Sequence, residues 1–237
     1  MAKVQGPVPK RLSEGCDRIH ESTEDRSSLS VKKISMKYYN ITDNTCYERK
    51  WTIAVSIHPR SRMIEWSCPD CGAAASYPAG SFDVTIEGGE AYPDFLGCGA
   101  YPLMIVSGKV IASWEQHGIG PFVKFPVGVA AALETKLLLE DAPQYFRVEI
   151  AGDAKVDIPG SGGDFTRFCT RCGTFMTEPM LISKFALYAK SWDGSHVFRD
   201  QRLFPRVIFC TETVKRISES ERHTNSRFEE MIPTPDN

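Results

Sequence analysis

An α+β fold with mixed sheets is what this chain predicts, and three observations predict it. Short segments with strand patterning recur between Met36 and Met231. Two continuous apolar runs, at 102–106 and 205–209, each lead into an amphipathic helical stretch and then into a further strand pattern. The motif CxxCG occurs twice, as Cys68-Pro69-Asp70-Cys71-Gly72 and as Cys169-Thr170-Arg171-Cys172-Gly173. Each copy sets two thiols at the ends of a tight turn whose glycine supplies a positive φ.

Along the chain, residues 1–35 are polar, mixed in charge and without helical or strand period, as in Glu21-Ser22-Thr23-Glu24-Asp25-Arg26. They read as a disordered or loosely attached arm, with a short helix over 12–20 as the alternative. The zinc-binding domain spans 36–233, and 234–237 form a polar tail. The first strand starts near Met36. Next, Trp51, Ile53, Val55 and Ile57 alternate with Thr52, Ala54 and Ser56, as in a half-buried strand. Residues 63–66 run into the first CxxCG. Phe82, Val84 and Ile86 alternate again until Gly88-Gly89 ends the strand.

Ser107 is placed to cap a helix that runs to about His117 and stops at Gly118, with Val110, Ile111 and Trp114 on its inner side and Ser113 elsewhere. Residues 122–125 return as a strand. Near the C-terminus the pattern recurs: a run at 205–209, a helix from Thr211 to about Glu221 with Val214 and Ile217 inward, and a strand at 227–231. A slide of about 103 residues superposes the two units, pairing Ile111 with Val214 and Trp114 with Ile217. Possible pseudo-repeat halves are therefore 36–135 and 136–233. Between them, Phe146, Val148 and Ile150 alternate with Arg147 and Glu149, and 158–163 read as a flexible loop. Residues 184–188 suit either a strand or a helical turn.

Composition narrows the function. A formal net charge of −2 provides no global field for nucleic acid or anionic membrane. No apolar run approaches the ~18 residues of a transmembrane helix. The first residues open no hydrophobic segment, so the expected location is cytoplasmic and the eight cysteines are expected to be reduced. Cys16, Cys46, Cys98 and Cys210 are scattered singly and read as packed thiols.

Cys68, Cys71, Cys169 and Cys172 together offer the four sulfurs of a closed tetrahedral Zn²⁺ site, one per chain. Such a site is structural, because four sulfurs leave no open position for water. A redox CxxC and a metal-free pair are the alternatives. The redox motif normally opens a helix, and Gly72-Ala73-Ala74-Ala75-Ser76-Tyr77-Pro78 does not suit a long one. His58, His117, His196 and His223 show no metalloprotease spacing, His20 lies in the arm, and no nucleophile elbow or phosphate loop is present. No catalytic residues are therefore expected. Trp66, Tyr77, Tyr92, Phe95 and Tyr101 read as core and rim of the first knuckle, with a recognition surface as the alternative. A zinc-ribbon nucleic-acid binder is the alternative function, on Arg199, Arg202, Arg206, Lys215 and Arg216. Yet 160–237 hold 11 Lys/Arg against 10 Asp/Glu, a balance that argues against an electrostatic footprint.

With both motifs laid out, the chain resembles the double-CXXCG motif family, which includes immunity proteins that protect a bacterium from its own swarm-inhibition or other antagonistic toxins. The likeness covers about 36–233. It rests on Met36-Lys37-Tyr38-Tyr39, the two CxxCG motifs, Ser107-Gly108-Lys109-Val110 before Gly118-Ile119-Gly120, and Val207-Ile208-Phe209 with its helix. The arm before Met36 departs from the family pattern. The resemblance implies metal binding through the same four cysteines and a non-enzymatic role in binding a protein partner, a cognate toxin.

Overall fold

The computed structural model describes residues 36–43, 49–59, 61–98, 103–162, 169–172, 184–203 and 207–234. The arm at 1–35, Gly173, Tyr101, Arg206 and the tail beyond Thr234 lie outside the described residues. In chain order the first half holds β1 (Tyr38–Asp43), β2 (Ile53–Ile57), β3 (Met63–Ser67), β4 (Ala74–Pro78), β5 (Phe82–Glu87), β6 (Phe95–Leu96), β7 (Met104–Ser107), α1 (Gly108–Gln116) and β8 (Phe122–Leu133). The second holds β9 (Tyr145–Ile150), β10 (Ala186–Tyr188), β11 (Val197–Phe198), β12 (Ile208–Thr211), α2 (Glu212–Ser220), β13 (Ser226–Glu230) and β14 (Ile232–Thr234).

These strands form a six-stranded sheet, β2-β5-β8-β9-β7-β6, a four-stranded sheet, β11-β12-β1-β13, and two ribbons, β3-β4 and β10-β14. The pairs β5–β8 and β10–β14 are parallel and the others antiparallel, so the architecture is mixed and dominated by sheet.

Two strands each insert between the pair of strands that flanks a helix. β9 lies between β7 and β8, antiparallel to both, with Tyr145 opposite Ser107 and Ile150 opposite Phe122. β1 lies between β12 and β13 in the same way, with Tyr38 opposite Thr211 and Asp43 opposite Ser226. The two helices end alike. In α1 the Ile119 N–H donates to Trp114 O and the Gly118 N–H to Glu115 O; in α2 the His223 N–H donates to Ser218 O and the Arg222 N–H to Glu219 O. Both are Schellman endings, with positive φ at Gly118 and at Arg222. The spacing that relates these positions is 104, the separation of His117 from its partner Glu221. The helix endings thus recur one residue further apart than the expected slide of 103.

The main core gathers where the two helices cover the sheets: Val110, Ile111 and Trp114 from α1, Val214 and Ile217 from α2, Tyr39 and Ile41 from β1, and Val106 and Val148 below them. Trp114 meets Phe95 and Phe122 edge to face, with ring centroids 6.4 and 5.7 Å away.

Several local expectations need correction. In β2 the inward residues are Ala54 and Ile57, while Ile53 and Val55 are half-buried. A register shift between Ala54 and Ser56 inserts one residue and reverses the alternation. Thr52 is buried and its hydroxyl donates to Glu87 O. Ser113 is buried. Arg147 is buried too, because Phe125 and the β4 end cover the face on which it stands. Residues 158–162 form a hydrogen-bonded turn in place of a flexible loop, pinned by the Ser161 hydroxyl between Asp157 O and the Ala186 N–H. Residues 186–188 are strand, and β14 carries the chain through Thr234, one residue into the expected tail.

Ser107 occupies the N-cap position of α1, but its hydroxyl makes no cap bond. It donates instead to Asp94 Oδ1 at 2.7 Å. Asp94 Oδ2 accepts from the Thr224 N–H at 2.9 Å, from its hydroxyl at 3.1 Å, and from Lys109 Nζ at 3.3 Å. Burial by itself raises the Asp94 pKa, yet the Ser107 and Thr224 hydrogen bonds and the Lys109 charge outweigh it and hold it below its ordinary value. A depressed folded pKa stabilises the fold above the unfolded value, and that stabilisation disappears as pH falls through the folded value. Asp94→Asn is therefore expected to cost about 1–3 kcal/mol at pH 7. The gap from the parent should close below pH ~4; urea midpoints at both pH values measure it.

Candidate metal centre

The first knuckle crowns a ribbon. β3 and β4 pair from Met63–Pro78 up to Ser67–Ala74, and residues 68–73 beyond the last pair turn the chain. There the Cys68 N–H donates to Ala73 O at 2.7 Å and the Gly72 N–H to Cys68 O at 2.9 Å. Gly72 has φ +70°, with open space around its Cβ position, so the glycine is required by conformation and not by crowding. The second knuckle, Cys169 to Cys172, is a turn that meets the first directly.

The meeting is sulfur to sulfur. Cys68 Sγ lies 3.8 Å from Cys169 Sγ, and Cys71 Sγ lies 3.7 Å from Cys172 Sγ. All four sulfurs lie within 4.8 Å of one another, and none of the four is joined in a disulfide. Four sulfurs at about 2.3 Å from a common tetrahedral centre are separated by roughly 3.8 Å, so the cluster fits a bound metal ion. Disulfide sulfurs would be about 2.05 Å apart. Cys68 and Cys169 are buried and the other two half-buried, which sets the cluster just beneath the surface.

Charge supports the same reading. The Ala73 N–H favours a thiolate at Cys71, but burial and the three neighbouring sulfurs together push its pKa up to about 12. The Cys71 thiol resists ionisation until a cation sits beside it, and a dication reverses that balance. An ion pair from Arg171 Nη1 to Asp70 Oδ1, 3.1 Å long and exposed, joins the inner residues of the two motifs. Its screened position makes it a guide to alignment more than a source of stability.

The remaining candidates lie elsewhere. Cys210 is buried in the main core, where burial raises its thiol pKa. Cys98 packs beside the six-stranded sheet. Cys16, Cys46 and His20 fall outside the described residues. His117 bonds Glu221, His196 bonds the Thr211 hydroxyl, and His223 bonds the Ser218 hydroxyl. None of them joins the sulfur cluster. Arg202 is committed to the buried carboxylate of Asp200, and Lys215 to Glu219 and the face of Tyr39. Arg202 and Lys215 thus answer to internal partners.

Reading the residues alone missed the ribbon's second strand, and it gave Trp66 and Tyr77 an exposed surface only as the alternative. Ile64 stands opposite Tyr77, with Trp66 two residues along the same face. All three are exposed, at 40, 37 and 43%. Phe95, expected at the knuckle, is instead in the main core, and the Tyr92 hydroxyl donates to Leu138 O. The alternation of Ile64 and Trp66 was the available signal for an exposed apolar face. Compared with protein-family models and with curated proteins, the chain finds no match.

Proposed function

We propose that this is a zinc-stabilised, non-enzymatic cytoplasmic protein that binds a partner protein, and that the partner is an antagonistic toxin it neutralises. The observation that carries the metal part is the convergence of Cys68, Cys71, Cys169 and Cys172 at tetrahedral spacing. Four thiolates are the preferred set for structural Zn²⁺ and leave no coordination site for substrate. The metal's work is then architectural: it fixes the β3–β4 ribbon to the second knuckle and with it the apolar face of Ile64, Trp66 and Tyr77. An exposed aromatic and aliphatic face of this kind suits a protein partner. The toxin reading rests on the resemblance of the doubled CxxCG and its flanking segments to the immunity family.

The correspondence in strand register and helix endings further supports reading 36–135 and 136–233 as pseudo-repeat halves, each contributing one strand–helix–strand unit and one knuckle. The nucleic-acid alternative has no observation in its favour.

Two measurements test the proposal separately. Elemental analysis of freshly purified protein is expected to return one zinc per chain. Co-expression with a toxin-like product of a neighbouring open reading frame is expected to protect cells, and Trp66→Asp to weaken that protection without loss of zinc. Failure to protect from any neighbouring product, with no protein co-purifying, would reject the partner reading while leaving the metal reading intact.

A further inference from the structure

A cavity of about 500 Å³ opens where the two sheets and the ribbon meet. Its walls include Met104 at the start of β7, Ile208 at the start of β12, Val148 from β9 and Tyr77 from the ribbon. Met104 and Ile208 are counterparts at the 104-residue spacing, so the cavity straddles the junction of the halves. Apolar walls with a few placed polar groups, at this size, are the usual composition of a small-ligand site.

Two arginines supply the polar groups. Arg147 has only 3% of its side chain exposed. Its Nη1–H donates to Pro78 O at 2.8 Å, Nη2 pairs with Glu149 at 2.9 Å, and the guanidinium lies over Phe125. Its Nε–H is buried with no hydrogen-bond partner. That donor is closed off even from water, so Arg147 is a fixed part of the wall and a ligand in the cavity would meet Arg199. Arg199 lines the same cavity and is half-buried. Its guanidinium has no ion pair among the described residues, while its backbone meets Gly152, Ala154 and Asp153. Against these two cations the lining offers a single carboxylate, Glu149, already engaged by Arg147.

We propose that this cavity binds a small amphipathic organic anion, its carboxylate facing Arg199 and its apolar body lying along Met104, Ile208, Val148 and Tyr77. The binding is reversible and involves no covalent step. It does not depend on the partner-protein reading, since nothing in the cavity belongs to the exposed ribbon face except Tyr77, at its margin.

Calorimetric titration of the full, metal-loaded chain with octanoate, with octanol as the uncharged control, tests it. Octanoate is expected to saturate at one per chain and to bind roughly tenfold or more tightly than octanol, the margin of one charge-assisted hydrogen bond. Arg199→Gln should remove that margin by weakening octanoate alone, and Met104→Trp, which fills the cavity, should abolish binding of both. Arg199 is half-buried at the wall, so its variant decides the matter if Met104→Trp does not fold. Equal affinity for acid and alcohol, an Arg199→Gln variant that binds octanoate unchanged, or no saturable binding at millimolar octanoate would overturn the proposal. Zinc content should be the same throughout, which separates this result from the metal reading.

Discussion

Cys169→Ser is expected to strip the metal from the chain and to lower its thermal midpoint by roughly 10–20 °C. The clip joins residues 101 positions apart. Closing a loop of that length is worth about 4–5 kcal/mol in the chain-entropy account, and a domain of this size shifts by about 2–4 °C per kcal/mol. Chelation of the parent protein should reach the same state, since a metal that binds only the folded form stabilises by mass action. Cys98→Ser, outside the cluster, should keep both metal and midpoint. A Cys169→Ser protein that retains one zinc per chain and its full midpoint would exclude the four-thiolate site.

Trp114→Ala is expected to cost about 3–5 kcal/mol, the largest loss of any single core truncation here. Its side chain is fully enclosed, touches Phe95 and Phe122, and belongs to the core that α1 shares with α2. Because that core draws on both halves, urea unfolding should remain one cooperative transition with a lower midpoint, and not split into two. Trp114→Phe should cost much less. Among the described residues the indole N–H of Trp114 has no acceptor, so phenylalanine keeps most of the apolar contact and removes an unsatisfied donor.

Those two residues also show what could be read in advance. Trp114 falls on the apolar stripe of a nine-residue helix bounded by Ser107 and Gly118, and a stripe is visible without knowing what covers it. Phe82, Val84 and Ile86 were equally plain, because alternation in β5 is uninterrupted. The cysteines were legible through ligand chemistry: doubled thiol pairs specify a partner set even when the intervening fold is unknown. In β2 the bulge spoiled the phase, since one inserted residue turns every later side chain to the other face. β4 carried no apolar period in Ala74-Ala75-Ser76, and its strand conformation comes from pairing with β3. Asp94 had no motif to announce it, for its decisive partner Thr224 lies 130 residues away. Arg147 looked like an outward residue until Pro78, 69 positions back, was seen to cover it. Local pattern reveals which face is apolar; it cannot reveal that a second surface closes over a polar one.

The position of β1 governs the order of events at the ribosome. It is an interior strand of the four-stranded sheet, yet both of its neighbours, β12 and β13, are made at least 160 residues after it. Tyr39 and Ile41 therefore emerge early, with the backbone edges that β12 and β13 will later occupy still open. β9, by contrast, follows β7 and β8 closely and can zip into place as it emerges. Vectorial synthesis thus completes the six-stranded sheet first. The four-stranded one forms late through contacts of very high order, which makes it the slow step of folding and the interval in which an unpaired strand is most open to capture by another chain.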